Sequence, residues 1–170
     1  NLSTNPTARN PLYTKVLGTA FDVDVVALLA NGTQSSGYNS AQGLTVNLVT
    51  EEAGSCGATV VASKQVSFTT SDSGRKRVSF TAGDVLRAYP NLRCRVTDAS
   101  LQKTGCSSDN FAIRPAALLV TSVNATQLAP SNNSIPVFKA GTDNINLTAS
   151  SGEVGYNGIP KIDNTRLQAH

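Results

Sequence analysis

Cys106-Ser-Ser-Asp-Asn-Phe-Ala-Ile-Arg-Pro115 packs a cysteine, a turn-forming polar run, an alternating strand and an Arg-Pro step into ten residues. Phe111 and Ile113 alternate with Ala112 and Arg114, which predicts a strand with one apolar face. Proline has no amide hydrogen and disfavours helix at the residue before it, so Arg114-Pro115 predicts a break in the chain path. Phe111, Ile113, Arg114 and Pro115 are therefore read together as a junction, where one domain closes and the next begins.

Working backwards from this junction, the same period of two recurs. Leu92, Cys94 and Val96 alternate with Arg93, Arg95 and Thr97. Before them, Val78 and Phe80 face inward in Arg77-Val-Ser-Phe80, a return strand answering Gln65–Thr70 across the turn Ser71-Asp-Ser-Gly74. Asp84–Ala88 predicts a short helical turn. Thr59–Ala62 and Leu44/Val46/Leu48 give further strands, separated by a break at Glu51–Gly57. Residues 31–43 read as loop, opened by the turn signal Asn31-Gly32. Phe21, Val23, Val25 and Ala27 alternate with Asp22, Asp24 and Val26 in the clearest strand of the chain. Leu12–Leu17 predicts a first edge strand. Short strands about ten residues apart, each with one apolar face, predict an all-β, immunoglobulin-like antiparallel β-sandwich.

Beyond Pro115 the pattern restarts. Leu118–Val123 reads as a strand and Asn124–Pro136 as a loop, after which Lys139–Ala149 matches Val16–Val26. Gly141-Thr142 answers Gly18-Thr19, Ile145/Leu147 answer Phe21/Val23, and Gly155-Tyr156-Asn157 answers Gly37-Tyr38-Asn39. Residues 1–11 are then an extended lead-in, 12–114 one sandwich, and 115–170 the start of a second, incomplete β-sandwich repeat. Half a sandwich leaves an apolar face uncovered. It is completed by packing on the first part or by strands from a neighbour; one elaborated sandwich with extra strands is the competing reading.

Composition narrows the function classes. Ser, Thr and Asn supply 51 of 170 residues and only 15% are charged, which suits short strands and many turns. The net charge of +3 is too small to point to nucleic acid. A local basic excess does occur, with Arg75, Lys76, Arg77, Arg87, Arg93, Arg95, Lys103 and Arg114 against Asp84, Asp98 and Asp109. Outward Arg that protects strand edges from aggregation explains it more simply than a polyanion site. No apolar run is long enough to span a membrane. The polar opening, Asn1-Leu-Ser-Thr-Asn-Pro6, carries no signal peptide, so both ends read as those of a fragment from a longer chain.

Candidate chemistry is sparse. His170 is the single histidine, and nothing in the pattern brings a nucleophile and an acid to it, so no catalysis is expected. With one histidine and no close cysteine pair, zinc is not expected either. No cofactor is predicted, and inter-module calcium held by Asp109 with a loop acid is the weakest of the candidate sites. Tyr38 and Asn39 are the candidate ligand-binding residues, because a loop tyrosine beside an amide can stack on a sugar. Three cysteines allow at most one internal disulfide. Cys94 points inward either as a small buried hydrophobe or as the partner of Cys106 across a hairpin near Ser100. That hairpin turns Phe111 and Ile113 outward unless a bulge intervenes.

Asp72–Phe80, Tyr89–Asp98, the opening motif and above all Cys106–Pro115 resemble the repeats of bacterial MshQ-type surface proteins, which are associated with the mannose-sensitive haemagglutinin type IV pilus. The similarity covers most of residues 12–170. It implies immunoglobulin-like modules of unknown function, exported to the bacterial cell surface. It also implies a disulfide between Cys56 and Cys106, with Cys94–Cys106 as the alternative. The expected function is a structural or adhesive stalk module without catalysis. Its partners are neighbouring modules, further copies of itself, pilus components or surface glycans. A lectin-like module and an extracellular filament built by strand exchange are the alternatives.

Overall fold

The computed structural model describes residues 10–117, 119–125, 145–151, 153 and 156. These form two units, one holding residues 10–116 with Tyr156 and the other the remaining described residues, from Ala117 to Glu153.

The first unit is all-β, with one short 3-10 turn at Thr70–Asp72. Its strands are β1 (Lys15–Val16), β2 (Phe21–Val26), β3 (Ser40–Glu52), β4 (Ser55–Phe68), β5 (Arg75–Phe80), β6 (Tyr89–Asp98), β7 (Lys103–Cys106) and β8 (Phe111–Arg114). Six of them make one mixed sheet in the order β1-β8-β6-β3-β4, with β7 also on β6; β2 and β5 make a separate two-stranded sheet. The β1–β8 pairing is parallel, which departs from the purely antiparallel sheet expected.

Apolar side chains from both sheets meet in one core. Val23 of β2 and Val78 and Phe80 of β5 pack with Val46, Leu48, Ala62, Leu92, Phe111 and Ile113 of the larger sheet. Phe21 stacks on Phe80 with ring centroids 5.4 Å apart and meets Phe111 edge-on at 6.2 Å. Strand alternation explains the pattern: every second residue is delivered to the same face.

Several local expectations are corrected. The break expected at Glu51–Gly57 is a tight hairpin: Glu52 faces Ser55 and the turn is Ala53-Gly54, with φ of 48° and 77°. Two consecutive left-handed residues are what a two-residue hairpin requires, and alanine is a poor signal for them. β4 consequently runs unbroken for 14 residues.

Arg77–Phe80 does return inward-facing Val78 and Phe80, but β5 pairs with β2 and not with β4. The turn before it sends the chain to the other sheet, through Ser73 at φ 49° and Gly74 at φ 75°. A Cβ on Gly74 would lie 2.0 Å from the carbonyl oxygen of Ser35, so glycine is needed for contact as well as conformation. Asp84–Ala88 is not helical. It is a turn in which the Asp84 carboxylate accepts the amide and hydroxyl of Thr81.

β7 and β8 lie on the same edge of β6. Arg95 faces Cys106, whereas Leu92 faces Phe111, so residues 107–110 insert a two-residue offset between the paired stretches. An even offset preserves alternation, so Cys106 lies on the outer face with Arg95 while Phe111 and Ile113 enter the core with Leu92.

In the second unit, β9 (Leu119–Ala125) and β10 (Ile145–Ser150) pair antiparallel, with an irregularity between Thr148 and Ala149. The matched Gly141-Thr142 and most of Gly155-Tyr156-Asn157 lie outside the described residues. Among the described residues no helix is long and apolar enough to cross a membrane.

Candidate functional site

The polar features of the first unit gather on and around β6, and each can be followed back to a strand position. The disulfide joins Cys56, early in β4, to Cys106, at the end of β7, with their Cα atoms 5.9 Å apart. Because β3 and β6 stand between those strands in the sheet, the tip of the β3–β4 hairpin curls over β6 to reach β7. Arg95 Nη1 donates to the Gly57 carbonyl at 3.1 Å, and the Cys56 sulfur lies 3.6 Å from the Cys94 carbonyl. Cys94 keeps its thiol. The alternative Cys94–Cys106 pairing is excluded by register, since Arg95 is the residue opposite Cys106 and Cys94 points to the core face. Burial pushes the Cys94 thiol up to about 12.

The curled hairpin covers Arg93. Its Nη2 donates to Glu51 Oε1 at 2.7 Å, its Nε to the same oxygen at 3.1 Å, and its Nη1 to the Ser107 carbonyl at 2.6 Å. Asn110 Nδ2 donates to the other Glu51 oxygen. One carboxylate therefore ties β3, β6 and the 107–110 offset together. Arg93 and Arg95 sit in a central strand beneath other chain, which corrects their reading as outward guards of an edge.

Most of the remaining basic excess is also paired. Arg75 and Arg77 both bind Asp24 across the β2–β5 pair, at 2.7 and 3.0 Å. The hydrogen bonds from Arg77 and then Arg75 hold the Asp24 carboxyl below its usual range. Lys76 binds Asp72 at 3.0 Å, and Lys64 binds Asp84 at 2.7 Å. Arg87 donates to the Tyr89 hydroxyl at 2.9 Å.

Tyr38, read as a possible sugar platform, packs edge-on against Phe68 at 5.3 Å and donates its hydroxyl to Asp98. Burial first, and Asp98 second, push its hydroxyl up to about 12. Asn39 beside it is exposed. Asp98 is itself buried and also accepts the amides of Ser100 and Leu101 at 2.9 and 3.0 Å. Hydrogen bonding from the Ser100 side chain, then from Tyr38, holds the Asp98 carboxyl low. The Asp98-Ala-Ser-Leu spacing is an Asx-turn signal that could have revealed this role; nothing local announces the Tyr38 contact.

At the junction, Phe111 and Ile113 are buried, as is Pro115, while Arg114 is exposed and bonds its own neighbour's carbonyl. The first strand, β1, runs alongside. Lys15 faces Ile113 and Val16 faces Arg114 in parallel register, and the Leu17 amide donates to the Arg114 carbonyl at 2.9 Å. Asp109, considered above for calcium, is buried and accepts the Leu12 amide at 2.9 Å.

Between residues 11–15 and β2 lies a groove of about 170 Å³, lined by Tyr13, Lys15, Asp22, Asp24, Arg77 and Phe111 among others. Its strongest charges, Asp24 and Arg77, already bind each other. Among the described residues no group of three or more His, Cys, Asp or Glu side chains converges as a metal would require. Compared with protein-family models, with curated proteins and with solved structures, the chain finds no match.

Proposed function

We propose that the chain is a structural module of an extracellular bacterial assembly, a stalk segment of a surface or pilus-associated protein. The observation that supports it most is the Cys56–Cys106 bond, which ties the β3–β4 hairpin across β6 to the last strands before the junction. Disulfides of this structural kind form and persist where the environment is oxidising, outside the cytosol. Across the unit, carboxylates take partners within the fold: Asp24 with Arg75 and Arg77, Glu51 with Arg93, and Asp98 with the Tyr38 hydroxyl. A domain that uses its polar groups internally is built to hold shape.

We further propose that residues 12–114 are a variant immunoglobulin-like sandwich whose second sheet has been reduced to β2 and β5, and that 115–170 begin a second repeat. The neighbours of such a module are other modules of its own chain, joined through the short Arg114-Pro115 step.

Antibodies raised against the exposed β6–β7 turn around Leu101 and Lys103 test the placement. Labelling of intact producing cells is the expected result. Labelling that appears only after lysis, with all three cysteines alkylated in the native protein, would sink the proposal.

A further inference from the structure

We infer that residues 10–17 and 108–115 form a tension clamp: the strands by which the chain enters and leaves the first unit are held side by side in parallel, with the Cys56–Cys106 bond as a stop behind them. The inference deepens the stalk reading and rests on it for the source of the tension.

The two segments are nearly a hundred residues apart in sequence, yet contacts recur along their whole length. Asn10 donates its amide to Ser108 Oγ at 3.3 Å and Leu12 to Asp109 Oδ2 at 2.9 Å. Lys15 and Val16 then pair with Ile113 and Arg114, and the Leu17 amide reaches the Arg114 carbonyl at 2.9 Å. Leu12 and Leu17 also pack against the core.

Direction decides how these bonds carry load. Tension pulls β1 by its N-terminal end and β8 by its C-terminal end. Since the two strands run the same way, they are drawn past each other and the evenly spaced bonds between them are loaded together. An antiparallel pair gripped at adjacent ends would open one bond at a time. Forced unfolding follows the height of the unfolding barrier, so a small set of bonds loaded in concert can govern it without dominating equilibrium stability.

The disulfide sets what happens after the clamp gives. From the β1 side the chain can be drawn out only as far as Cys56, and from the β8 side only back to Cys106, because the chain between the two cysteines, 50 positions apart, is closed in a loop. About 55 residues between Asn10 and Pro115 are then released, roughly 20 nm of extended chain. With the bond reduced, about 105 residues are released, roughly 38 nm.

The test is single-molecule force spectroscopy on the full chain held between marker domains. The oxidised protein is expected to give one abrupt event of roughly 20 nm. Reduction should lengthen that event to roughly 38 nm at the same peak force, because the clamp fails before the loop is loaded. Leu17→Pro, which removes the amide bonded to Arg114, should lower the peak force and leave the oxidised length unchanged. Should that variant fail to fold, the oxidised and reduced wild-type records decide alone. Gradual extension without a peak, a peak force that falls on reduction, or a folded Leu17→Pro chain with wild-type force would overturn the clamp. Surface labelling bears on the stalk reading and the force records on the clamp, so either can fail without the other.

Discussion

Glu51→Ala should be among the most damaging single substitutions in the first unit, although Glu51 lies near a hairpin end. The Glu51 carboxylate takes two hydrogen bonds from Arg93 and one from Asn110. The pair is largely withdrawn from water, with side-chain exposures of 11% for Arg93 and 15% for Glu51. Removing one member of a buried pair costs about 3–5 kcal/mol, because the other charge is left without its counter-ion. Residual solvent contact and the surviving bond from Arg93 to the Ser107 carbonyl place the expected loss at the lower end, about 3 kcal/mol. Replacing both residues, as Glu51→Leu with Arg93→Met, removes the uncompensated charge and should come within about 1 kcal/mol of wild type. Urea unfolding followed by tyrosine fluorescence measures both, in a chain that has no tryptophan. With a slope of about 1.5 kcal/mol per molar, Glu51→Ala should move the midpoint down by about 2 M. A single variant as stable as wild type, or a double variant as unstable as the sum of its parts, would refute this account of the pair.

Acid should destabilise the first unit through Asp24 and Asp98. Both have folded-state pKa values below the ordinary carboxylate value, so the unfolded chain binds more protons and stability rises with pH. Their contribution is complete above about pH 5 and is lost as the pH falls through the folded values; Asp98→Asn should flatten that slope in an acid titration of ellipticity. Thiol counting with a colorimetric disulfide reagent should find none in the native protein, one in urea and three after reduction, because half-buried Cys94 packs on the core with its thiol pushed up to about 12. Cys56→Ser with Cys106→Ser removes a bridge spanning 50 residues, and should cost about 4 kcal/mol in a chemical melt on the loop-entropy estimate. Gly74→Ala should destabilise far more than Gly18→Ala. Both glycines have positive φ, which costs about 1 kcal/mol for alanine, but only the Gly74 methyl would collide with the Ser35 backbone. Equal thermal shifts for the two would show that the collision is relieved at no cost.

What could be read in the chain was whatever depends on neighbours a few residues away. The period of two in Phe21–Val26, Arg77–Phe80 and Leu92–Thr97 identified strands and their buried faces, because alternation is a property of the extended backbone itself. The inward set Val23, Val78, Phe80, Leu92, Phe111 and Ile113 was legible for the same reason. Less could be said where local signals were weak: Ala53 in a left-handed turn hid the β3–β4 hairpin and split β4 into two.

Pairing was the province of the tertiary structure. That β5 crosses to β2, that β1 lies parallel to β8, and that the β3–β4 tip folds across β6 are choices among edges whose local propensities are alike. They are settled by which arrangement buries Phe21, Phe80 and Phe111 together and leaves Arg93 a carboxylate. The sequence by itself determined a β-rich chain with alternating faces and a break in the alternation at Arg114-Pro115. Only the fold decided that β8 pairs in parallel with β1, because contacts between residues nearly a hundred positions apart leave no local trace.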